Sequence, residues 1–112
     1  MICIDAHHPD LQEFITHKSD LEITQGANMS VRVENDFFEA VKNDEDWVMS
    51  FTRKETNSTI EKKAKARDIM KLLAQTNWDY AEPGMLYWDN ITQYNLMSED
   101  PNFEYAGTNP CG

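Results

Sequence analysis

Four short stretches with strand character, separated by segments of helical period, constrain the fold of this chain more than any other feature. Ile2-Cys3-Ile4 is a compact apolar run, the pattern of a buried strand. Met29, Val31 and Val33 alternate with Ser30, Arg32 and Glu34, and Trp47, Met49 and Phe51 alternate in the same way, which is the period of a pleated strand. Met85-Leu86-Tyr87-Trp88 is the fourth.

The helical segments lie between them. His8 suits an N-cap and Pro9 a first helical position, with Leu11, Phe14 and Ile15 at spacings that make one apolar face. Asn35 is placed to cap a helix whose buried side is Phe37, Phe38 and Val41. Ser58-x-x-Glu61 has the form of a capping box, and predicts a long helix over Thr59 to Tyr80. Ala66, Ile69, Met70, Leu73 and Tyr80 form its apolar stripe, and Glu61, Lys62, Lys63, Lys65 and Arg67 its solvated side. Glu82-Pro83-Gly84 ends that helix. Ser19 to Ala27 reads as a loop punctuated by Gly26, and Thr92 to Asn109 is a long excursion of no clear period.

Strands alternating with helices predict an α/β fold with a mainly parallel sheet and helical crossovers. With 112 residues the chain amounts to at most one small domain. Its 40% hydrophobic and 11% aromatic content suffices for a core, which argues against wholesale disorder.

The formal net charge of −10 repels phosphate backbones, so a nucleic-acid polymer is excluded as a partner. A nucleotide monomer is compatible, because a few backbone amides suffice to hold its phosphates. No apolar run approaches the ~18 residues of a membrane span, and no basic-then-apolar leader opens the chain. The cytoplasm is the expected compartment, and Cys3 and Cys111 are expected there as free thiols. The Asn-x-Ser/Thr patterns at Asn28, Asn57 and Asn90 then carry no glycan. His7, His8 and Asp10 invite a metal, but adjacent residues point in different directions and no third ligand follows at helical spacing, so no metal site is expected.

Thr108-Asn109-Pro110-Cys111-Gly112 places a thiol between a residue of fixed φ and one without a Cβ, with a polar amide two positions earlier. Together with His8-Pro9-Asp10-Leu11, Glu13-Phe14-Ile15, Lys18, Gly26-Ala27-Asn28-Met29-Ser30-Val31-Arg32-Val33, Asp36-Phe37-Phe38, Ala40-Val41, Glu82-Pro83-Gly84, Tyr87-Trp88-Asp89-Asn90, Tyr94 and Asn95, this ending resembles the large catalytic subunit of ribonucleotide reductases. The stretches stand in the family's order and cover nearly the whole chain. Asparagine-proline-cysteine-glycine favours the adenosylcobalamin-dependent class over the di-iron class, where leucine usually precedes the cysteine.

The resemblance implies a section, residues 1–112, of a ten-stranded α/β barrel with a central finger loop that carries the cysteine. It implies that Cys111 is the thiyl-radical residue and that Asn109 hydrogen-bonds the substrate ribose. It likens the Leu21–Asn28 loop, with Gln25, Gly26 and Asn28, to the loop that passes information from an effector nucleotide to the substrate base. The implied partners are a ribonucleoside diphosphate or triphosphate, deoxynucleotide and ATP effectors, and the remaining pieces of the reductase or a second subunit. The implied cofactor is adenosylcobalamin, bound by the full-length enzyme and not by this piece alone. Three family features have no counterpart here: the glutamate two residues past the motif, the reducing cysteine pair and the phosphate-binding segment. Cys3 matches neither reducing cysteine, and reads as a small buried hydrophobe. An isolated fragment is therefore expected to be inactive. The readings beside this one are a di-iron-class fragment and a non-catalytic interaction piece whose sheet edges pair with the rest of a split reductase.

Overall fold

Three of the four apolar runs meet in one sheet. The computed structural model describes residues 2–17, 28–94, 99–102 and 108. Its elements are β1 (Ile2–Asp5), α1 (Leu11–Thr16), β2 (Met29–Val33), α2 (Asn35–Lys42), β3 (Asp46–Thr52), β4 (Thr59–Lys65), α3 (Ala66–Tyr80), β5 (Gly84–Tyr87) and α4 (Trp88–Gln93). β2 is the middle strand, with β1 and β5 parallel to it on either side. A middle strand of a parallel sheet is covered on both faces, and Met29, Ser30, Val31 and Val33 are all buried. Ser30 sits opposite Gly84, where a Cβ would stand 3.3 Å from the serine Oγ. A Cβ at position 84 would require that hydroxyl to shift by a few tenths of an ångström.

The sheet has two unlike faces. Val31 and Val33 share a buried cluster with Leu11 and Ile15 of α1, Phe37 and Ala40 of α2, and Ile69 and Leu73 of α3. The helices therefore cover the face to which odd-numbered β2 residues point. Register places Cys3 beside Ser30 and Leu86 beside Arg32 on the opposite, more polar face. The α/β class expected from the sequence is thus observed, as a small parallel sheet layered on helices.

The stretch 59–65 departs from expectation. Instead of opening a helix, it forms β4, antiparallel to β3, with Trp47 opposite Ala64 and Phe51 opposite Ile60. A helix here would set Lys62 and Lys65, and Lys63 and Arg67, at repulsive spacings on its surface. On the strand, Lys63 and Lys65 instead flank Asp46 at 3.2 and 3.7 Å. Pairing also satisfies backbone groups that a solitary β3 would leave open. The helix starts only at Ala66, and Ala66, Ile69 and Leu73 of the expected stripe are buried, while Tyr80 is largely exposed. The sheet of the sequence reading is therefore split into a parallel sheet and an antiparallel hairpin.

Smaller boundaries shift as well. Asp10, not His8, is the N-cap of α1, because His8 and Pro9 belong to the turn before it. Asn35 is the first residue of α2 and its N-cap is Glu34. Trp88 opens α4 rather than closing β5. α3 ends at Ala81, held left-handed at φ 59° with its N–H donated to the Asn77 carbonyl at 2.7 Å. Alanine is strained there and glycine is not. Ala81→Gly is expected to stabilise the chain by about 0.5–1 kcal/mol, read as a higher urea midpoint with an unchanged m-value.

Candidate active site

Several polar side chains converge at the carboxyl ends of β1, β2 and β5. This is the end of a parallel sheet where ligands usually meet an α/β fold. β1 ends at Asp5, β2 runs into Glu34 and then α2, and β5 runs into Trp88 and Asp89. Arg32 donates to Asp5 Oδ2 at 3.3 Å, and its guanidinium lies 4.6 Å from the centre of the Trp88 ring. Asp89 Oδ2 accepts the Asn35 backbone N–H at 2.7 Å, satisfying one of the open amides of α2 from another element.

His7 stands among these groups. Its Nδ1 lies 2.6 Å from Asp5 Oδ1 and its Nε2 lies 2.7 Å from Asp36 Oδ2. Its ring packs at 4.9 Å on Trp47, whose indole N–H donates to the Ala6 carbonyl at 2.7 Å. Burial by itself would raise the Asp5 pKa, but the His7 hydrogen bonds and the His7 and Arg32 charges lower it below the ordinary value. Glu34 is raised, by burial first and then by the carboxylates of Asp36 and Asp89. A lowered Asp5 contributes stability above its unfolded pKa and loses it as pH falls through the folded one. Asp5→Asn is therefore expected to flatten the acid limb of the stability profile below about pH 4, measured by denaturant midpoints across that range.

A second feature lies beside β5. Met85, Leu86, Tyr87, Asn90, Ile91, Tyr94 and Thr108 line an open, mainly apolar groove of about 530 Å³. Thr108 is the residue immediately before Asn109.

Of the sequence-derived site residues, Asn28 is described. It is exposed, and its carbonyl accepts the Ile2 N–H at 2.7 Å, where β1 and β2 begin side by side. Gln25, Gly26, Asn109 and Cys111 lie outside the described residues. Cys3 is a free, half-buried thiol on β1. His7 and His8 have separate partners, His8 turning to the Asp10 N–H and the Phe51 ring. The Asp5–His7–Asp36 bridge and the Arg32–Trp88 contact escaped the sequence reading. The available signal was a charged residue at each strand's carboxyl end.

The description "Ribonucleotide reductase, barrel domain" matches residues 1–112. The chain belongs to the ribonucleotide reductase barrel-domain family. Its similarity to curated reductases runs along nearly its whole length. It is 36% identical over 112 residues to the vitamin B12-dependent ribonucleoside-diphosphate reductase of Thermoplasma acidophilum, covering 97% of this chain and 14% of that protein. It is 31% identical over 134 aligned residues to the vitamin B12-dependent ribonucleotide reductase of Streptomyces avermitilis, covering 99% of this chain and 13% of that protein. The protein of the same name from Bradyrhizobium diazoefficiens is 30% identical over 87 residues, which is 78% of this chain. The chain thus spans about one-seventh of the Thermoplasma reductase. Among the described residues no helix is long and apolar enough to cross a membrane.

Proposed function

We propose that this chain is a section of the catalytic barrel of an adenosylcobalamin-class ribonucleotide reductase, and that it brings Cys111 and Asn109 to the substrate ribose. The observation that carries the proposal is the barrel-domain match over residues 1–112, which ends in Thr108-Asn109-Pro110-Cys111-Gly112. The relatives' names support the cobalamin class over the di-iron class, and the Thermoplasma name favours a ribonucleoside diphosphate as substrate. We place the protein in the cytoplasm, where thiols stay reduced.

In this reading β1 and β5, the outer strands of the parallel sheet, pair with further strands to close a ten-stranded barrel around a finger loop. Adenosylcobalamin, when bound to the complete enzyme, would supply the radical that removes the hydrogen atom of the Cys111 S–H; the sulfur, as a thiyl radical, takes the hydrogen from C3′ of the ribose, forming S–H and leaving the unpaired electron on carbon. The 2′-hydroxyl, once protonated, then leaves as water. A dithiol elsewhere in the enzyme supplies two electrons and two protons, and the Cys111 S–H returns its hydrogen to C3′. Asn109 donates to and accepts from the ribose hydroxyls. Gln25, Gly26 and Asn28 relay effector identity to the base.

Four grooves among the described residues measure about 360 to 690 Å³ and are open to solvent, and none of these four encloses a group the size of a cobalamin. Cofactor, reducing cysteines and phosphate site are assigned to other sections of the enzyme, and the 112-residue chain alone is expected to form no deoxynucleotide even with adenosylcobalamin and dithiothreitol.

The test is a chimera in which the matched segment of the Thermoplasma reductase is replaced by this chain. Cobalamin-dependent conversion of CDP to dCDP is the expected result. A folded, cofactor-binding chimera that forms no dCDP would refute the proposal.

A further inference from the structure

Both ring nitrogens of His7 meet carboxylate oxygens, at 2.6 Å on Asp5 and 2.7 Å on Asp36. A carboxylate only accepts, and a neutral imidazole has one donor and one acceptor. The two contacts are satisfied together only when both nitrogens carry protons. Other bonds turn this side chain into a junction. The His7 backbone N–H donates to Asp5 Oδ1 at 2.8 Å, and its carbonyl accepts the Ser50 N–H of β3 at 2.8 Å. The other oxygen of Asp36 accepts the Phe37 N–H at 2.8 Å in the first turn of α2. One imidazole thus joins the end of β1, the start of α2 and the hairpin.

We propose that His7 is a proton-operated clamp: as the imidazolium it fastens the first turn of α2 to the β1 turn, and on losing its proton it lets go of Asp36. The clamp rests on the fold and is independent of the proposed reductase activity.

The charges around it support this assignment. Asp5 faces the ring from β1, Asp36 from α2 and Glu34 from the end of β2, with Asp89 of α4 acting on Glu34. Arg32 is the opposing cation and is engaged by Asp5 and Trp88. β3 contributes the uncharged Trp47 ring. Asp5, His7 and Glu34 approach within 4.8 Å, a spacing that also suits a cation, but the imidazolium already supplies positive charge there. Burial by itself would lower the His7 pKa; the bonds and charges of Asp36 and Asp5 outweigh it and raise the pKa above the ordinary 6.5. A raised histidine pKa gives stability that is complete below the unfolded value and is lost as pH rises through the folded one.

The experiment follows the His7 imidazole by NMR while hydrogen exchange is measured at the Phe37 amide of the 112-residue chain. His7 is expected to titrate above pH 6.5. The Phe37 protection factor should fall in step, by about tenfold for each pH unit that separates the two pKa values. Asp36→Asn should move the His7 titration downward, and His7→Gln should make Phe37 protection independent of pH over the same range. Titration of His7 at or below pH 6.5, or Phe37 protection that ignores it, would overturn the clamp. So would stoichiometric Zn²⁺ abolishing the titration while leaving Phe37 protected, because the occupant would then be a cation and not a proton.

Discussion

Phe37→Ala is expected to destabilise the chain by about 3–5 kcal/mol. Phe37 is fully buried and belongs to the cluster that joins Val31 and Val33 of the sheet to Ile69 and Leu73 of α3. Its ring meets Trp47 edge-on at 5.1 Å and Phe38 at 5.9 Å. It therefore connects α2, the hairpin and the sheet at once. Truncation would lose the transfer energy of the ring, leave a cavity and remove the aromatic contacts, which add about 0.5–1.5 kcal/mol beyond burial. Domains of this size have only about 5–15 kcal/mol in total. Urea unfolding should show the variant partly unfolded in dilute buffer. Trp78→Ala is the control: Trp78 is 87% exposed on α3, and its removal should change stability by no more than about 0.5 kcal/mol.

The strands were legible because alternation survives any tertiary context that buries one face. Met29, Val31 and Val33 are a strand in the sequence and a strand in the fold. The apolar stripe of α3 was legible for the same reason, with Ile69 and Leu73 as its centre. Its start was not. Ser58 and Glu61 have capping-box spacing, and nothing local reveals that β3 needs an antiparallel partner; that requirement was met by Thr59–Lys65. The polar junction was illegible for a different reason. His7 and Asp36 lie 29 positions apart, and Asn35 and Asp89 lie 54 apart, so only the parallel register of β1, β2 and β5 brings them together. Asn109 and Cys111 lie outside the described residues, and the role proposed for them rests on the family resemblance of the terminal motif.

Cys111→Ser is expected to reduce dCDP formation by the Thermoplasma chimera to background. Serine keeps the shape of the side chain but replaces the weak S–H bond with an O–H bond too strong to exchange hydrogen with C3′. Substrate binding should persist, because the phosphate site is assigned to other sections of the enzyme. Asn109→Ala is expected to retain some activity. The hydrogen bond proposed for it on the ribose would matter most as the C2′–O bond breaks, so the loss should fall on kcat more than on KM. The scale is roughly 10²-fold, as for a single preorganised donor.

Cys3 offers the sharpest comparison, because it is the only other cysteine in the chain. It is a half-buried thiol on β1, beside Ser30 of β2. The most direct measurement is CDP reduction by the Cys3→Ser and Cys111→Ser chimeras side by side, with folding and nucleotide binding verified for both. Turnover near that of the parent is expected for Cys3→Ser and none for Cys111→Ser. Turnover by Cys111→Ser, or its loss in a folded Cys3→Ser chimera, would contradict the assignment of the radical site.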